Sequence, residues 1–498
     1  MYLLGYDIGS SSVKAALVDA QTMKTVGTVH YPEQEMDIIA LQAGWAEQQP
    51  EVWWDNLIAA TQKLFQLFPV DPQAVQSIGI SYQMHGLVLI DQNQQVLRPS
   101  IIWCDSRAVS IGERAFEQLG QEFCLSQLLN SPGNFTAAKL KWVKDHEPRL
   151  YEQIDKVLLP GDFINMKLTD EVNTTIPALS EGIFWDFKEN RVSSELMDYF
   201  GFSHSIIPEI VDTCSIQGKL SAGAARALGL KEGTPVGYRA GDQPNNALSL
   251  GVFNPGEVAA TGGTSGVVYG VVDKPCYDQQ SRINGFAHVN HHPENPRIGM
   301  LLCINGAGIQ YSWIKQMLAT EGTSYRDIEA TLSSVPVNAD GLCILPFGNG
   351  AERMLNNRDL GSRMLNLNFN RHSKAHIYRA ALEGIAYSFV YGIEIMKEMG
   401  MQVETIRVGN DNLFQSEVFS NTIATALDCR IEMLETTGAI GAAKASAVGS
   451  GLAKSLSEVL GRPKLVKAYT ALPERSIYQT GYHLWKAELM KMLNPDYV

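Results

Sequence analysis

The chain has 498 residues, of which 45% are hydrophobic and 19% charged, as in globular proteins long enough for two domains. Its formal net charge of −13 argues against a nucleic-acid partner or an anionic membrane surface, because both are bound through basic patches. The seven scattered cysteines contain no C-x-x-C pair and indicate neither a zinc site nor a disulfide framework. Without a signal-peptide pattern or an apolar run of membrane length, we expect a cytoplasmic protein.

The chain opens with two apolar runs, residues 2–6 and 13–18, which predict a pair of strands joined by a tight turn. The turn consists of glycine and small hydroxyl residues: Gly9, Ser10, Ser11 and Ser12. Successive N–H groups in such a turn form a nest for an anion, usually a phosphate. Asp7, at the end of the first strand, is placed to hold a Mg²⁺ ion or its waters. The alternative is an ordinary serine-rich hairpin in which Asp7 only favours the turn.

Residues 26–31 predict a third strand, residues 50–68 an amphipathic helix that begins at Pro50, and residues 77–81 a buried strand. The polar turn Gln83-Met84-His85-Gly86 follows, and a strand at residues 87–90 comes after it. A polar turn between buried strands is a place where side chains point into a cleft. His85 is a candidate to bind a sugar hydroxyl, and the alternative is a histidine of the core or the turn.

Residues 108–230 read as mainly helical and irregular, with an amphipathic helix at 136–142. A strand at 233–241 then ends in Asp242, two residues before Pro244. An aspartate at a strand end can orient a hydroxyl group and take its proton as charge develops on the oxygen. The alternative for Asp242 is a turn residue.

Residues 260–273 repeat the pattern of the opening hairpin about half a chain later. Aligning Gly9 with Gly263 places Ser10 opposite Thr264 and Ser11 opposite Ser265. Such long-period similarity indicates two related domains, which we place at residues 1–251 and 252–498. Chance similarity of two glycine-rich hairpins is the alternative.

The second half alternates strands and helices like the first half, which predicts an α/β architecture. Its predicted elements are helix 308–319, strand 343–346, helix 374–399, strand 405–408, helix 416–427 and a small-residue helix from Gly438. The loop Gly409-Asn410-Asp411-Asn412 follows the strand 405–408. The run Gly438 to Gly441 is equally typical of helix packing and of a phosphate contact. His288, His291 and His292 suggest a metal site, but their surroundings at 290–296 favour an exposed turn.

Two anion-binding hairpins that face each other across a cleft would grip a polyphosphate from both sides. Asp7 and Asp242 would then share the cleft, one serving a metal ion and the other an acceptor hydroxyl. Phosphoryl transfer needs little beyond positioning, Mg²⁺ and neutralisation of charge on the moving group.

Taken together and in order, the motifs resemble those of the FGGY carbohydrate kinases, and most closely the xylulose kinases among them. The resemblance covers essentially the whole chain. It rests on Asp7-Ile8-Gly9-Ser10-Ser11-Ser12-Val13-Lys14, Trp45-Ala46-Glu47-Gln48-Gln49-Pro50, Gln83-Met84-His85-Gly86, Trp103 with Asp105 and Arg107, Asp155-Lys156-Val157-Leu158-Leu159-Pro160, Gly241-Asp242, Gly263-Thr264-Ser265-Gly266, Glu352-Arg353, Leu382-Glu383-Gly384 and Gly441-Ala442-Ala443.

The resemblance implies the actin-like ATPase fold, with two ribonuclease-H-like domains around an interdomain cleft. The first would bind the sugar and supply the base, and the second would bind the nucleotide. It implies transfer of the ATP γ-phosphate to a sugar hydroxyl, with the 5-hydroxyl of D-xylulose as the expected acceptor. The expected substrates are this sugar and ATP, and the resemblance leaves open whether the chain forms a homodimer.

The resemblance also assigns residues to roles. Asp242 would be the catalytic base, and Asp7 and Asp242 would serve Mg²⁺. The acceptor would contact Met84, His85, Gly86, Trp103, Asp105, Asp242 and Gln243. ATP would contact Gly9, Ser10, Ser11, Ser12, Lys14, Gly263, Thr264, Ser265, Gly306, Gly409, Asn410 and Asn412.

Three positions depart from the family pattern. Gln243 stands where the xylulose kinases have asparagine, as in glycerol kinases, but Met84-His85 replaces the Arg-Glu pair of glycerol kinases and disfavours glycerol. Cys104 replaces a polar residue, and the loop 409–412 replaces a run of glycines near the adenine. The open alternatives are another ketose or polyol (ribulose, a deoxy-ketose or gluconate) and a non-catalytic actin-like ATP-binding module.

Overall fold

A computed structural model gives the fold and describes residues 1–461 and 463–494. The elements of the first half are β1 (Tyr2–Ile8), β2 (Val13–Asp19), β3 (Thr25–Tyr31), β4 (Glu47–Gln48), α1 (Pro50–Leu67), β5 (Val75–Tyr82), β6 (Val88–Ile90), β7 (Ser100–Ile101), α2 (Val109–Leu119), α3 (Gln121–Gln127), α4 (Thr136–His146), α5 (Pro148–Tyr151), β8 (Lys156–Leu158), α6 (Pro160–Thr169), β9 (Asn173–Thr175), α7 (Ile176–Glu181), β10 (Trp185–Asp186), β11 (Arg191–Val192), α8 (Ser194–Phe200), β12 (Glu209–Val211), α9 (Ala222–Leu228), β13 (Val236–Gly241) and α10 (Asp242–Ser249).

The second half continues the alternation of strands and helices. Its elements are β14 (Val258–Gly262), β15 (Gly266–Val272), β16 (Asn284–Ala287), β17 (Ile298–Ile304), α11 (Gly308–Leu318), α12 (Tyr325–Leu332), β18 (Cys343–Leu345), β19 (Arg363–Leu365), α13 (Lys374–Glu398), β20 (Thr405–Gly409), α14 (Glu417–Leu427), β21 (Arg430–Glu435), α15 (Gly438–Gly449), α16 (Leu456–Leu460), β22 (Lys464–Tyr469) and α17 (Arg475–Leu493). Short 3₁₀ segments lie at Pro72–Ala74, His204–Ile206, Val337–Gly341, Arg353–Leu355 and Asn412–Gln415.

Each half is built on a mixed sheet, and the two sheets share one strand order. The first sheet runs β13-β5-β1-β2-β3, and the second contains β21-β20-β14-β15-β17 within its seven strands. In both, the opening hairpin is antiparallel and the strand that follows the first long helix pairs in parallel with the hairpin's first strand. This arrangement confirms the predicted α/β fold of two ribonuclease-H-like units.

The long predicted elements appear close to their expected bounds, because their apolar periodicity is strong. The turn of the first hairpin joins β1 to β2, and the repeated turn joins β14 to β15 at the aligned place. The segment 108–230 also contains five short strands, β8 to β12, which the sequence did not indicate. A two- or three-residue strand is too short to show a periodic pattern.

Helix α15 of the second half packs against the sheet of the first half. Three glycines on neighbouring strands, Gly5, Gly79 and Gly237, lie under it. A Cβ atom at these glycines would fall 2.0 Å from Ala439 O, 2.0 Å from Ala442 O and 2.3 Å from Ser446 O, respectively. The absence of side chains therefore permits direct contact between helix backbone and sheet. Of the two readings of the run from Gly438, helix packing is the one these contacts support. The division at residue 251 stays a prediction, because α15 belongs to the second half of the chain but packs on the sheet of the first half.

A second contact between the halves is made at the edge strand β16. The Asn130 side-chain amide donates to Gly285 O at 2.6 Å, and Asn130 Oδ1 accepts from Gly285 N at 3.2 Å. The Ser180 hydroxyl accepts from Ala287 N at 2.9 Å. Side chains of the first half thus pair with the free edge of the second sheet. Within residues 1–461 and 463–494, no helix is both long and apolar enough to cross a membrane.

Candidate active site

Asp7 lies near the end of β1, the central strand of the first sheet, next to β5. Its Oδ1 atom accepts a hydrogen bond from the Ser81 hydroxyl at 2.9 Å, and its Oδ2 atom lies 3.6 Å from the Lys14 ammonium group. Lys14 is the direct antiparallel partner of Asp7 in the hairpin. The end of β1 and its hairpin partner therefore place a carboxylate next to a cation. The carboxylate is suited to a metal ion and the cation to a phosphate.

The turn after β1 is held in shape by its own backbone and by side chains around it. The Gly9 N–H donates to Ser12 O at 3.1 Å. The Gln48 amide donates to Ser10 O at 2.7 Å, and the Trp103 indole N–H donates to the Ser10 hydroxyl at 3.3 Å. The structure thus brings Trp103, predicted on the acceptor side, against the turn predicted for phosphate. Trp103 is 52% exposed.

Asp242 is the first residue of α10 and follows β13 directly, so the chain turns from strand to helix at this carboxylate. Burial, followed by the negative charge of Asp7, raises the pKa of Asp242 to about 7, against hydrogen bonds from the Gln243 backbone and side chain that oppose the shift. A pKa near the working pH suits a general base. The influence of the Asp7 charge on the pKa of Asp242 indicates that the two carboxylates lie near each other.

The donor set fits a Mg²⁺ ion bound mainly through phosphates. Asp7 and Asp242 supply hard carboxylate oxygens, and Mg²⁺ is commonly held by one or two carboxylates together with substrate phosphates. Nowhere in the described part of the chain do three or more His, Cys, Asp or Glu side chains gather as a metal site. His288 is fully buried and its Nδ1 lies 2.9 Å from the Tyr269 hydroxyl.

The turn Met84-His85-Gly86 lies beside Asp242. A Cβ atom on Gly241 would fall 2.6 Å from Met84 Cγ, and one on Gly86 would fall 2.6 Å from Pro160 Cγ. Met84 and Gly86 therefore pack closely against the neighbouring elements, and His85 adopts the left-handed region, with a φ of 65°.

His85 is held as a neutral imidazole. Its Nδ1 lies 2.9 Å from the carbonyl oxygen of Glu181, which can only accept, so Nδ1 carries the proton and Nε2 is left as an acceptor. Burial, followed by the positive charge of Lys139, lowers the pKa of His85 to about 3. The ring centroid lies 4.8 Å from that of Phe135 and 5.4 Å from that of Phe286. Phe286 belongs to β16, so both halves form the surroundings of His85.

Lys139 of α4 supports this turn and was not singled out from the sequence. It is fully buried, and its ammonium group donates to His85 O and Ile102 O, both at 3.0 Å. Burial lowers the pKa of Lys139 to about 7. The available signal was a lysine between alanines and leucine, on the apolar side of an amphipathic helix, because a buried lysine needs a partner.

Asp105 differs from the other residues predicted to contact the sugar. It has no exposed surface, and its carboxylate accepts from Ala46 N at 2.6 Å and from the guanidinium of Arg107 at 2.7–3.0 Å. These bonds occupy both oxygens. The contacts do not support a direct bond from Asp105 to an acceptor; they fix the loop that carries Trp103.

A cavity of about 770 Å³ opens on the second half, next to the repeated hairpin. Its walls include the predicted residues Gly263, Thr264 and Asn412. The other lining residues are Gly262, Gly308, Ile309, Tyr311, Ser312, Tyr325, Arg326, Glu329, Leu413, Gln415 and Ser416. The volume lies within the range of small-molecule and cofactor sites.

The other nucleotide contacts predicted in the second half, Ser265, Gly306, Gly409 and Asn410, do not line this cavity. The Gly306 N–H donates to Glu352 Oε1 at 2.9 Å, which shapes the turn before α11, and the Asn410 N–H donates to Leu434 O at 3.0 Å. Gly409 ends β20, and Ser265 lies in the turn between β14 and β15. Helix α11 begins at Gly308, whose N–H donates to Gly263 O at 3.1 Å.

The outer wall of the cavity was not predicted from the sequence. The rings of Tyr311 and Tyr325 are stacked with centroids 5.5 Å apart, and Glu329 Oε1 accepts from the Ser416 hydroxyl at 3.0 Å. These residues lie on α11, α12 and the start of α14. No local motif marks them, since only tertiary packing brings the three helices together.

Comparison with known proteins identifies the family to which the chain belongs. The model of the N-terminal domain of the FGGY family of carbohydrate kinases matches residues 2–249, and that of the C-terminal domain matches residues 258–450. The chain is 29% identical over 465 residues to a xylulose kinase of Bacillus subtilis, covering 92% of this chain and 90% of that protein.

Solved structures give the same result. A xylulose kinase from Rhodospirillum rubrum superposes with a TM-score of 0.89 at 26% identity, covering all of both chains. A gluconate kinase from Lactobacillus acidophilus has a TM-score of 0.89 at 22% identity, over 100% of this chain and 99% of that one, which shows the shared fold alone. The chain belongs to the FGGY family of carbohydrate kinases and is a phosphotransferase that uses ATP to phosphorylate an alcohol group of a sugar.

Proposed function

We propose that this kinase transfers the γ-phosphate of ATP to the 5-hydroxyl of D-xylulose and releases D-xylulose 5-phosphate. The observation that carries the proposal is the joint placement of Asp242, with a pKa of about 7, beside the Met84–His85 turn and within the electrostatic influence of Asp7. Similarity over more than nine tenths of the chain to the xylulose kinase of Bacillus subtilis supports the choice of sugar.

In this proposal the sugar lies on the first half, between the His85 turn and the start of α10. His85 Nε2, a pure acceptor, binds a sugar hydroxyl, while Gln243 and Trp103 contact others. Asp242 orients the 5-hydroxyl and takes its proton as the oxygen attacks phosphorus. A Mg²⁺ ion held by Asp7, with Asp242 nearby, would neutralise phosphate charge.

The nucleotide lies on the second half. Its base and ribose occupy the cavity between α11, α12 and α14, and its phosphates extend from the Gly263–Ser265 turn towards the turn Gly9–Ser12 and Lys14. Gly306, Gly409 and Asn410 do not line the cavity and maintain the backbone shape of this site.

The proposal is tested with a panel of acceptors. ADP release is measured with D-xylulose, D-ribulose, a deoxy-ketose, D-gluconate and glycerol, and the kcat/KM values are compared. We expect D-xylulose to exceed every other acceptor by at least about tenfold, a difference of about 1.4 kcal/mol in transition-state binding. A higher kcat/KM for another acceptor would refute the choice of sugar.

The role of Asp242 is tested separately with Asp242→Asn. We expect kcat to fall at least about a hundredfold, the lower range of a lost general base, while the KM for ATP changes little. Acceptor-dependent ADP release at the wild-type rate would refute this role. Asp212→Asn, an exposed aspartate of the same half, is the matched control.

A further inference from the structure

Glu181, the last residue of α7, lies where two of the acceptor-site motifs meet. Its main-chain oxygen is the atom that holds His85 Nδ1, at 2.9 Å. Its side chain reaches the other motif, because a Cβ atom on Gly241, the residue before Asp242, would fall 2.5 Å from Glu181 Oε2. The same Cβ atom would fall 2.6 Å from Met84 Cγ, so Glu181 and Met84 adjoin Gly241 together.

Among the residues that the structure describes, one oxygen of this carboxyl group is buried without a well-formed hydrogen bond, and the neighbouring Tyr82 hydroxyl, which influences the pKa of Glu181, is likewise buried without one. Only 2% of the residue is exposed, and Oε1 has no hydrogen-bond partner among residues 1–461 and 463–494. A buried polar atom without a partner destabilises the folded state, and such atoms are uncommon in native structures. A partner that arrives with a ligand would remove this cost.

Charged and titratable side chains from several elements surround Glu181. Asp242, Asp162, Tyr82 and Tyr269 face it, and the nearby cation Arg239 is already paired with Asp162 at 3.0 Å. Burial, followed by the negative charges of Asp242 and Asp162, raises the pKa of Glu181 well above its usual range. A carboxyl group accepts hydrogen bonds in either protonation state and donates one when it is protonated.

We propose that Glu181 is a further specificity-determining residue of the acceptor site, whose carboxyl group hydrogen-bonds one oxygen substituent of the sugar. The inference rests on the proposed function only in taking the acceptor to be a polyhydroxy compound bound beside Asp242. An acceptor that lacks this oxygen leaves a buried carboxyl group unpaired. Sites built to bind a substrate hydroxyl reject such analogues strongly.

The test combines variants of Glu181 with variants of the acceptor. The kcat/KM values of the best acceptor from the panel and of each of its mono-deoxy analogues are measured in the wild type, Glu181→Met, Glu181→Leu and Glu181→Gln. Met and Leu fill the space without a polar group, whereas Gln retains hydrogen bonding. Glu189→Gln, an exposed glutamate of the same half, is the matched control.

We expect the wild type to penalise one deoxy analogue by at least about fiftyfold relative to the parent sugar. In Glu181→Met and Glu181→Leu, this penalty should fall below about fivefold, because the apolar side chain cannot form the hydrogen bond with either sugar. Glu181→Gln should retain most of the penalty. The KM for ATP should stay at the wild-type value in all variants, and the thermal midpoints of the apolar variants should not fall below that of the wild type, because these variants remove a buried polar atom that lacks a partner.

An unchanged pattern of penalties in Glu181→Met and Glu181→Leu would overturn the proposal. Equal losses for the parent sugar and every analogue, a raised KM for ATP, or failure of both apolar variants to fold would also overturn it, since Glu181 would then be structural. If D-xylulose is not the preferred acceptor, the proposed function fails, but the same comparison on the preferred acceptor still decides the role of Glu181.

Discussion

The negative charge of Asp7 contributes to raising the pKa of Asp242 to about 7, although the two residues lie on β1 and α10, in motifs far apart in the chain. A base functions when it is ionised, so activity is lost as the pH falls through this pKa. We expect kcat/KM for the acceptor to be constant above about pH 8 and to fall about tenfold per pH unit below about pH 6. An acid limb centred near pH 4 would contradict the assigned environment of Asp242.

The same shift predicts how Asp242 affects stability. A carboxyl group with a raised folded-state pKa binds more protons in the native state than in the unfolded state between its two pKa values, so native stability falls as the pH rises through this interval. Asp242→Asn removes the effect. We expect the variant to have a higher thermal midpoint than the wild type at about pH 8 and a smaller gain at about pH 5. Asp212→Asn, which is exposed, should show no such difference.

Lys139 provides a test of the support beneath the His85 turn. Lys139→Met has a side chain of similar length but removes the donor to His85 O and one of the two donors to Ile102 O, which keeps its bond from Asp105 N–H. Because the turn carries the proposed acceptor contacts, we expect the KM for the sugar to rise at least about tenfold and the KM for ATP to change less than about threefold. Lys141→Met, on a partly exposed position of the same helix, should leave both values near wild type. Equal changes in both KM values would show a general loss of folding.

The glycines under α15 predict a steric effect. A methyl group at Gly79 would fall 2.0 Å from Ala442 O, so Gly79→Ala forces the helix backbone away from the sheet. Overpacking of this kind costs about 1–3 kcal/mol or more, and we expect a lower thermal midpoint together with lower kcat. Gly223→Ala is the control, because its Cβ would lie 3.9 Å from its nearest neighbour, the Ser221 hydroxyl oxygen, and an alanine favours helix α9. An unchanged thermal midpoint in Gly79→Ala would contradict the close contact.

The cavity on the second half predicts a separable effect on the nucleotide. Tyr325 lies at its mouth and stacks on Tyr311. We expect Tyr325→Ala to raise the KM for ATP about tenfold, as for loss of a stacking contact, with little effect on the KM for the sugar. Tyr2→Ala, on the first sheet, has no contact with the cavity and serves as the comparison. A change confined to the KM for the sugar would contradict the assignment of the cavity.

The sequence was most informative where short-range patterns determine structure. The hairpins at Gly9 and Gly263 were predicted because glycines and hydroxyl residues between apolar runs mark tight turns. Their similarity also indicated two related units, and the shared strand order of the two sheets confirms it. Asp242 is predicted as a base because it ends a strand and matches a motif of the family, whereas the nearby Pro244 favours the alternative of a turn residue.

Other parts of the site depend on contacts that no local pattern encodes. The carboxylate of Asp105 is hydrogen-bonded by Arg107 and by the backbone N–H of Ala46, 59 residues earlier in the chain. Asp105 therefore supports the loop, although its motif predicted a contact with the sugar. Glu181 adjoins Gly241 and Met84 only because α7 packs between β13 and the second half. Tyr311 and Tyr325 meet through the packing of two helices. These relationships arise from tertiary structure.

The pairing of Asn130 and Ser180 with β16 has a consequence for self-association. An unpaired edge strand is a template on which the strand of another molecule can add, which leads to aggregation. Here one side-chain amide occupies both backbone groups of Gly285, and a hydroxyl group occupies the N–H of Ala287. The contact that brings Phe286 to His85 thus also closes this edge of the second sheet to intermolecular strand addition.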